Sequence, residues 1–555
     1  MIIKNQEYTV HIIGMTNEGN GVGKIDGFTV FVPLTTVGDK VRVKIVKVCS
    51  NYCYARLEEI LESSSDRIPV DCTAFSQCGG CVYRHISYES ELRLKQQQVQ
   101  DAFERIGGIS TDYLPICGSE KISGYRNKSQ YPLAVDIEGK PYAGFYAMRS
   151  HRIVPCERCL LLPDQFESIK RKILDFIAEN DISIYDEKTG KGLIRHIYLR
   201  HAEKTGEIMV VLVCTRKRLP HADRLIEILS SDPNIASIVI NVNEKNTNVI
   251  LGESCFVLYG KEQICDVLCS NKINISPLSF YQVNRNQAEK LYEIAKDFAG
   301  LTGSEILVDL YCGAGTIGLS MAKQVKQLIG VEIIPQAIEN AKENAAQNGI
   351  SNAEFICADA AKATQMLLWR QLSPDVVVVD PPRKGCGESV VRDIVVMKPK
   401  KVVMISCNPA TAARDCAMFQ EQGYCCVKVQ PVDLFPRTAH VETVVLLSHK
   451  KPDGHINVKV EFGEGEGKVP LDNIAKRAEE YKPKERVTYK MIKEYIEAKY
   501  GFKVHTAYIA EVKRNLGLPM YDAPNAVEEL KQPRKHPTAE KVEAIKDALK
   551  HFEVI

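Results

Sequence analysis

The polar and apolar residues of this chain repeat with different periods in different stretches. In residues 1–62 they alternate with period two, which marks half-buried β-strands. The alternating segments lie at 8–12, 28–32 and 40–45, with glycine-rich turns at 19–23 and 38–39 between them. Short strands at this spacing predict a small β-barrel of the oligonucleotide-binding (OB) type. Any other small β-domain would show the same alternation, so the pattern alone leaves nucleic-acid binding open.

Residues 63–277 mix helical and strand patterns, which predicts a central α/β domain. An amphipathic helix is expected around Glu89–Ile106. The other predicted elements are the strands Ile208–Cys214 and Ile235–Val242 and the helices Pro163–Glu179 and His221–Leu229.

Residues 278–450 alternate apolar strands with helical segments in a regular order. This order predicts a doubly wound, Rossmann-like parallel sheet. The last two strand patterns, Tyr424–Val429 and Thr443–Leu447, predict a terminal hairpin. The preceding strands are predicted at 306–310, 327–331, 354–357, 376–379 and 402–405.

The end of the chain has a different composition. Residues 451–485 are predicted to be a linker, with a Gly/Glu/Lys-rich run at 461–468. Residues 486–555 predict a small helical domain, in which Gly501 ends the first helix. The three helices are predicted at Thr488–Tyr500, Thr506–Leu516 and Thr538–Phe552. Their basic faces fit a helix-turn-helix-like RNA or DNA binder, or simply the solvated face of a small domain, and no partner is predicted for them.

The composition limits the classes of protein. With 555 residues, 45% hydrophobic and 26% charged, the chain is long enough for three or four ordinary globular domains. A net charge of +2 excludes a uniformly polybasic nucleic-acid coat and leaves local basic tracks possible. The N-terminus lacks the apolar core of a signal peptide and no apolar run reaches about 18 residues, so we expect a cytoplasmic monomer that makes no membrane contact. Its 19 cysteines then predict metal ligands or a catalytic thiol rather than a disulfide framework.

A glycine-containing loop follows the first strand of the regular alternation. Gly313 and Gly315 would let the backbone approach a ligand as a helix begins, although a tight structural turn would also use them. Glu332 ends the next strand, nineteen residues after Gly313, where a carboxylate can accept hydrogen bonds from ribose hydroxyls. Asp359 ends the third strand and could approach an adenine edge. Without a third glycine of the pyrophosphate type, this set fits S-adenosylmethionine better than NAD.

A strand that runs into Ser-Cys-Asn-Pro places Cys407 at the end of the sheet where doubly wound folds bind ligands. A thiolate there is a nucleophile, although an isolated cysteine is more often a buried packing residue. Beside an electrophilic methyl group it acquires a use, because a thiolate that adds to C6 of uracil makes C5 nucleophilic. The C5 proton must then be removed by a base. Glu442 is the candidate base at the start of the last strand, with His440 as the second choice.

A third group of candidates is the cysteine cluster. Cys72, Cys78 and Cys81 lie within ten residues, with two glycines between the last two thiols. Three thiols at this spacing suit Zn²⁺ or an iron–sulfur cluster. The fourth ligand must come from elsewhere, and Cys159 is favoured. If Cys156 also binds, a zinc site remains open.

These motifs together resemble those of the RNA uridine C5-methyltransferases, and most closely the iron–sulfur enzymes that form 5-methyluridine in bacterial 23S ribosomal RNA. The resemblance covers residues 1–450 and stops after Lys450. It implies an N-terminal TRAM domain with the OB fold at 1–62, a central domain with a [4Fe-4S] cluster at 63–277 and a class I S-adenosylmethionine-dependent methyltransferase domain at 278–450. The implied cluster ligands are Cys72, Cys78, Cys81 and Cys159.

The same resemblance assigns roles to single residues. Ser279–Asn284 resembles the family's F-x-Q-V-N motif, which implies that Gln282 contacts the cofactor and that Phe280 lies near the target base. Cys407 takes the place of the nucleophile and Glu442 that of the proton acceptor. Further cofactor or substrate positions are Tyr311, Glu332 and Asp380. Candidate RNA contacts are Arg126 and Lys128 in a stretch similar to the family's RNA-facing strand, together with Arg149 and Arg152.

The predicted function is therefore methylation of a 23S rRNA uridine at C5. The closest alternative is the same reaction on a tRNA uridine, which the barrel and the cysteine cluster argue against. A non-catalytic iron–sulfur RNA-binding protein would not need Cys407 and Glu442. A DNA cytosine C5-methyltransferase would carry its cysteine in a Pro-Cys turn after an earlier strand, where this chain has Asp380-Pro381-Pro382-Arg383.

Overall fold

A computed structural model describes residues 2–449, 489–516 and 536–552 of the chain. Its contacts divide the chain into two units, 1–455 and 456–555. The predicted linker at 451–485 lies outside the described residues.

The N-terminal strands form a closed barrel in the order β1-β2-β3-β5-β4. Alternate residues of each strand point inward, and the valines and isoleucines among them form the barrel core. The five strands are β1 (Glu7–Met15), β2 (Gly21–Ile25), β3 (Phe28–Val32), β4 (Lys40–Val48) and β5 (Tyr52–Glu62).

The glycine-rich turn predicted at 19–23 is wrong in part, because β2 begins at Gly21. The two glycines of this strand are required by close packing. A Cβ on Gly21 would lie 2.0 Å from Thr35 Oγ1, and one on Gly23 would lie 2.2 Å from Val10 Cγ1. Glycine in a strand can therefore report a tight barrel wall as well as a turn.

The next segment begins with helix α1 (Tyr88–Arg105), capped by the Ser87 side chain, which accepts a hydrogen bond from the Ser90 N–H. A seven-stranded sheet follows in the order β13-β12-β11-β10-β7-β8-β9, covered by two helices, α2 (Asp164–Glu179) and α3 (Ala222–Ser230). Two further strands, β14 and β15, form a separate hairpin. The strands of this segment are β6 (Asp112–Tyr113), β7 (Lys128–Val135), β8 (Pro141–Tyr146), β9 (Ile153–Pro155), β10 (Ile194–His201), β11 (Ile208–Cys214), β12 (Ile235–Val242), β13 (Ser254–Gly260), β14 (Ile264–Leu268) and β15 (Asn271–Ile275).

The second large sheet has the order β18-β17-β16-β19-β20-β22-β21-β6. Its strands are β16 (Ile306–Leu310), β17 (Gln327–Glu332), β18 (Ala353–Cys357), β19 (Val376–Val379), β20 (Lys401–Ser406), β21 (Tyr424–Val432) and β22 (Glu442–His449). The first five are parallel, and of these β16, β17, β19 and β20 are buried along most of their length, which explains their continuous apolar sequences. The connecting helices are α4 (Arg285–Ala299), α5 (Thr316–Met321), α6 (Pro335–Gln347), α7 (Ala360–Trp369), α8 (Glu388–Met397) and α9 (Pro409–Glu421).

The chain order reverses between β16 and β19, so the carboxyl ends of these strands border a crevice of the kind that binds ligands in doubly wound folds. The short strand β6 pairs with β21 and so joins the segment after α1 to this sheet. The predicted fold class is confirmed, with a barrel, an α/β centre and a Rossmann-like sheet.

The described part of the second unit consists of three helices around a small apolar core that includes Ile496, Ile509 and Ile545. They are α10 (Tyr489–Tyr500), α11 (Thr506–Asn515) and α12 (Ala539–His551). Gly501 follows α10 with a left-handed φ of 73° and donates its N–H to the Glu497 carbonyl, as expected for a helix stop. None of the described helices has the length and hydropathy needed to span a membrane.

Candidate active site

The loop between β16 and α5 has three residues in the left-handed region: Tyr311 (φ 70°), Gly313 (φ 54°) and Gly315 (φ 82°). A tyrosine pays a conformational penalty there that glycine does not, and such strain is concentrated at functional sites. The loop turns the chain sharply from the strand end into the helix at the edge of the crevice.

The Glu332 carboxylate lies against this loop. Its Oε2 accepts a hydrogen bond from the Gly313 N–H at 3.1 Å, and its Oε1 accepts from the N–H groups of Ile333 and Ile334 at 2.8 and 3.0 Å. These bonds fix the carboxylate at the carboxyl end of β17. It is therefore oriented before any ligand is bound.

A further carboxylate, Asp309, lies beneath the loop and was missed by sequence reasoning. Its Oδ2 accepts the Gly318 N–H at 2.8 Å, and its Oδ1 has no hydrogen-bond partner within the described residues. Burial raises the pKa of Asp309 to about 8. A polar residue within an otherwise apolar strand was the only available signal.

The other expected cofactor and substrate residues surround the same crevice. Asp359 is exposed and caps α7 by accepting the Ala361 N–H at 3.0 Å. Asp380 follows β19, and burial raises its pKa to about 7. Gln282 precedes α4 and its carbonyl accepts the Asn127 side chain at 2.8 Å, while Phe280 is 66% exposed.

Cys407 lies in the turn between β20 and α9. The Asn408 side chain caps α9 by accepting the Ala410 N–H at 3.2 Å, and Pro409 is the first helical residue. Asn408 also donates to the Arg383 carbonyl at 3.2 Å. These contacts hold the partly buried thiol at the end of the sheet.

Glu442 is the first residue of β22, which is antiparallel to β20. Ser406 pairs with Thr443, so the next position along this register sets Cys407 opposite Glu442. The Glu442 side chain is buried, and this burial together with the negative charge of Asp380 raises its pKa to about 8. The structure therefore brings the two predicted catalytic residues together.

Arg383 is a second residue whose role the sequence did not indicate. Burial and the nearby Glu442 carboxylate raise the pKa of the Cys407 thiol, whereas the positive charge of the Arg383 guanidinium acts in the opposite direction. The guanidinium also lowers the pKa of Glu442 against the effect of burial. Arg383 is thus the cation that favours the charged forms of both groups.

His440, the second candidate base, lies two residues before Glu442 with its ring centroid 6.0 Å from that of Phe435. Desolvation, followed by the nearby positive charge of Arg383, lowers its pKa to about 4. A neutral imidazole with so low a pKa is a weak base, so Glu442 remains the better candidate.

The cysteines expected to bind a metal share one cavity of about 220 Å³. Its lining includes Cys72, Cys78, Cys81, Cys156 and Cys159. Within the described residues, no group of three or more Cys, His, Asp or Glu side chains could hold a metal ion as it stands. The predicted thiols are therefore gathered but not arranged around a single ion.

Three cations line the same cavity: Arg84, Arg126 and Lys128. Arg84 is bound to Asp71 through Nε and Nη2 at 2.8 and 2.9 Å, but its buried Nη1 has no partner among the described residues. Burial, with the charges of Arg200 and Arg126, lowers the pKa of Lys128 to about 8. Four thiolates around a metal ion or cluster carry excess negative charge. A lining that contains three cations therefore suits such a group.

The other expected RNA contacts lie near this region. Arg149 forms an exposed ion pair with Glu18 at 2.6 Å, and Arg152 donates to the Gln77 side chain at 3.3 Å. Arg126 and Lys128 face the cysteine cavity as described above, so their contact with RNA stays a prediction.

Comparison with known proteins adds the family. Residues 272–450 match the model of the tRNA (uracil-5-)-methyltransferase family, and residues 4–57 match the TRAM domain. Uncharacterized RNA methyltransferases from Clostridium tetani and Halalkalibacterium halodurans are 43% and 45% identical to this chain; each match covers 80% of it and 97% and 98% of the relative.

Among solved structures, the chain is similar to a Pyrococcus abyssi tRNA (uracil-54, C5)-methyltransferase in complex with S-adenosyl-L-homocysteine. The TM-score is 0.65 at 29% identity, over 79% of this chain and 100% of that one. The chain therefore belongs to the RNA methyltransferases that combine a TRAM domain with a tRNA (uracil-5-)-methyltransferase-family domain.

Proposed function

We propose that this protein transfers a methyl group from S-adenosylmethionine to C5 of a uridine in 23S rRNA, in the cytoplasm and as a monomer. The observation that carries the reaction is the register of β20 and β22, which sets Cys407 opposite Glu442. A thiol nucleophile and a general base in one pocket are what C5 methylation of uracil requires.

In the proposed reaction, the Cys407 thiolate adds to C6 of the uracil and the C5–C6 π electrons become available at C5. C5 would take up the electrophilic methyl group of S-adenosylmethionine, and the electron pair of the broken S–CH3 bond would stay on sulfur, which leaves as S-adenosylhomocysteine. Glu442 then removes the proton from C5, and the electron pair of that C–H bond re-forms the double bond. The C6–S bond breaks, and its electron pair returns to Cys407.

The electrostatics of the site agree with this order of events. Cys407 must be ionised to attack, and Arg383 favours its thiolate against the effect of burial. Because burial raises the pKa of Glu442 to about 8, the carboxylate is a stronger base than a solvent-exposed glutamate. We assign adduct formation to Cys407 with Arg383, and its resolution to Glu442.

The cofactor is proposed to lie along the crevice at the β16–β19 switch. Glu332 would bind the ribose hydroxyls and Asp359 would approach the adenine. The full proposed set is Gln282, Tyr311, Gly313, Gly315, Glu332, Asp359 and Asp380.

The proposed RNA surface includes the outside of the barrel. Phe31 on β3 and Tyr52 and Tyr54 on β5 point outward, since their strand neighbours are buried, and their ring centroids lie 5.4 to 5.6 Å apart. Lys24 and Lys47 are exposed on adjoining strands. Aromatic rings beside lysines are the usual way to bind single-stranded nucleic acid, by base stacking and phosphate contact. The target uridine would be flipped out of its stack, near Phe280, so that Cys407 can reach C6.

We also propose that Cys72, Cys78, Cys81 and Cys159 hold a [4Fe-4S] cluster. The shared cavity and its three cations support this assignment. The cluster would supply structural support, because methyl transfer from a sulfonium needs no electrons. Anaerobically purified protein should be brown and contain iron and sulfide; zinc without iron would support the alternative metal site.

A tRNA uridine is the second candidate substrate. The tRNA methyltransferase of Pyrococcus abyssi matches 79% of this chain and 100% of its own, so likeness in fold does not by itself separate the two substrates. The rRNA assignment rests on the similarity to the iron–sulfur rRNA enzymes.

The substrate is tested with labelled methyl donor and transcripts of 23S rRNA or tRNA, followed by mapping of the product. We expect 5-methyluridine in 23S rRNA only. Transfer confined to tRNA would replace the rRNA assignment, and undiminished transfer by Cys407→Ala would refute the mechanism. Cys357→Ala is a matched control, because Cys357 is an exposed cysteine without a proposed role.

A further inference from the structure

Glu442 is reached through a segment that forms no helix or strand, residues 433–441, called here the approach loop. It connects β21 to β22 and is nevertheless buried at Asp433, Leu434, Arg437 and Val441. The loop has little backbone pairing of its own, a hydrogen bond from the Thr438 N–H to the Phe435 carbonyl at 3.1 Å, so it is held largely by contacts with other elements. Those contacts, together with the pairing of Glu442 with Val432 in the sheet, then determine where Glu442 lies.

Arg437 makes five hydrogen bonds to other elements, and all five go to one segment of the chain, residues 82–91. Its carbonyl accepts the N–H groups of Val82 and Tyr83 at 2.9 and 3.2 Å. Its own N–H donates to Glu91 Oε1 at 2.7 Å. Its guanidinium Nη1 donates to the carbonyls of Ile86 at 2.9 Å and Tyr83 at 3.3 Å. Arg437 also has a left-handed φ of 70°, a conformation that persists in a non-glycine residue only when its surroundings impose it.

Glu91, the acidic partner of Arg437, is held in place by a buried group of charged side chains. Lys95 Nζ donates to Glu91 Oε1 at 2.8 Å, to Asp433 Oδ1 at 2.7 Å and to the Phe435 carbonyl at 3.2 Å. Lys95, Glu91 and Asp433 all have fully buried side chains. Two carboxylates are thus balanced by Lys95 and Arg437, as buried charges require. The group therefore joins α1, through Glu91 and Lys95, to Asp433 at the start of the approach loop and to Arg437 in its middle.

The segment that holds Arg437 follows Cys81 without a break. Arg84 in this segment lines the cysteine cavity, and Tyr125 donates a further hydrogen bond to the Pro436 carbonyl at 2.9 Å. The approach loop is therefore held by residues that directly follow the cysteine cluster in the sequence.

We propose that Arg437 is a positioning residue for Glu442, so that proton removal from C5 depends on the segment that follows the cysteine cluster. The inference rests on the proposed function. A general base must reach its proton within about 2.6–3.2 Å, and a displacement of about 1 Å can slow a step roughly 100-fold. Cys407, in the turn after β20, is not held by these contacts. Loss of Arg437 should therefore slow resolution of the methylated adduct and leave its formation intact.

The test compares wild type with Arg437→Ala and with Arg224→Ala as the matched control, since Arg224 forms only an exposed ion pair with Glu179. Single-turnover experiments measure formation of the covalent protein–RNA adduct, and multiple-turnover experiments measure its release. For Arg437→Ala we expect adduct formation within about threefold of wild type, turnover reduced about 10- to 100-fold, and a raised steady-state fraction of adduct. Arg437→Lys should restore part of the turnover, and Arg224→Ala should match wild type.

Tyr125→Phe gives a second, milder probe if Arg437→Ala does not fold, because it removes one hydrogen bond to the loop. It should shift the balance from release to adduct in the same direction. Equal loss of formation and release in folded variants, or unchanged release, would overturn the inference while leaving the proposed function standing. If wild type forms no adduct at all, the proposed function fails and the inference fails with it.

Discussion

The buried Glu442 carboxylate makes a specific prediction about stability and pH. Its pKa is raised from an ordinary 4.5 to about 8 in the folded protein. Between these two values the unfolded chain loses the proton while the folded chain keeps it. The free energy of unfolding therefore falls as the pH rises from about 4.5 to 8. The contribution of Glu442 to stability is fully present only below that range. Replacement by glutamine removes the ionisation and should remove this loss.

The size of the effect follows from the same two pKa values. Each pH unit between them corresponds to about 1.4 kcal/mol, which gives an upper bound of about 5 kcal/mol above pH 8. We take half of this bound as the expected effect, because the structure around the charge can relax locally. This corresponds to a change in Tm of roughly 5–10 °C for a cooperative unit of 150–250 residues.

The assay is thermal unfolding of wild type and Glu442→Gln at pH 5, 6, 7, 8 and 9. We expect nearly equal Tm values at pH 5 and a growing advantage of the variant toward pH 9. Glu339→Gln is the control, because Glu339 is an exposed residue paired with Lys342, and its difference from wild type should stay small at every pH. A Tm difference for Glu442→Gln that is constant or shrinks with pH would refute the claim that burial raises the pKa of Glu442 in the folded protein.

Three further predictions concern other parts of the molecule. Gly318→Ala should weaken binding of S-adenosylhomocysteine, measured by calorimetry. The new Cβ would lie 2.9 Å from Asp309 Oδ2, beneath the β16–α5 loop that is proposed to bind the cofactor. Unchanged affinity would contradict that role of the loop. Phe31→Ala should weaken RNA binding about 5- to 150-fold, as expected for about 1–3 kcal/mol per stacked base, without changing cofactor affinity. Equal RNA affinity of the variant and wild type by fluorescence anisotropy would show that the barrel face does not bind RNA. Lys95→Met should lower the free energy of unfolding by about 3–5 kcal/mol, because it leaves two buried carboxylates without their shared partner. Denaturant unfolding measures this difference, and equal values for the variant and wild type would contradict the prediction.

Much of the fold could be predicted from local pattern. The strands Ile208–Cys214 and Ile235–Val242 have the predicted bounds, and helix α1 differs from its prediction by one residue at each end. These segments are long and strongly periodic, so that their own sequence determines their type. The glycines of β2 misled because their requirement comes from Thr35 and Val10, which are distant in sequence.

The candidate site divides in the same way. Cys407 and Glu442 stand beside strand ends, and the order of the strands is enough to bring them together. Arg383 and Arg437 act through contacts across the fold, and no local pattern marks them. The sequence placed Lys128 in a stretch similar to the family's RNA-facing strand, but did not indicate that Lys128 lines the cysteine cavity.

The covalent mechanism is tested most directly by trapping. Glu442→Gln should methylate RNA once and then retain it as an adduct that survives denaturing electrophoresis, with the labelled methyl group in the shifted band, because release requires a base. The double variant Cys407→Ala/Glu442→Gln should give no such band. Normal multiple turnover by Glu442→Gln, or a labelled adduct in the absence of the Cys407 thiol, would contradict the mechanism.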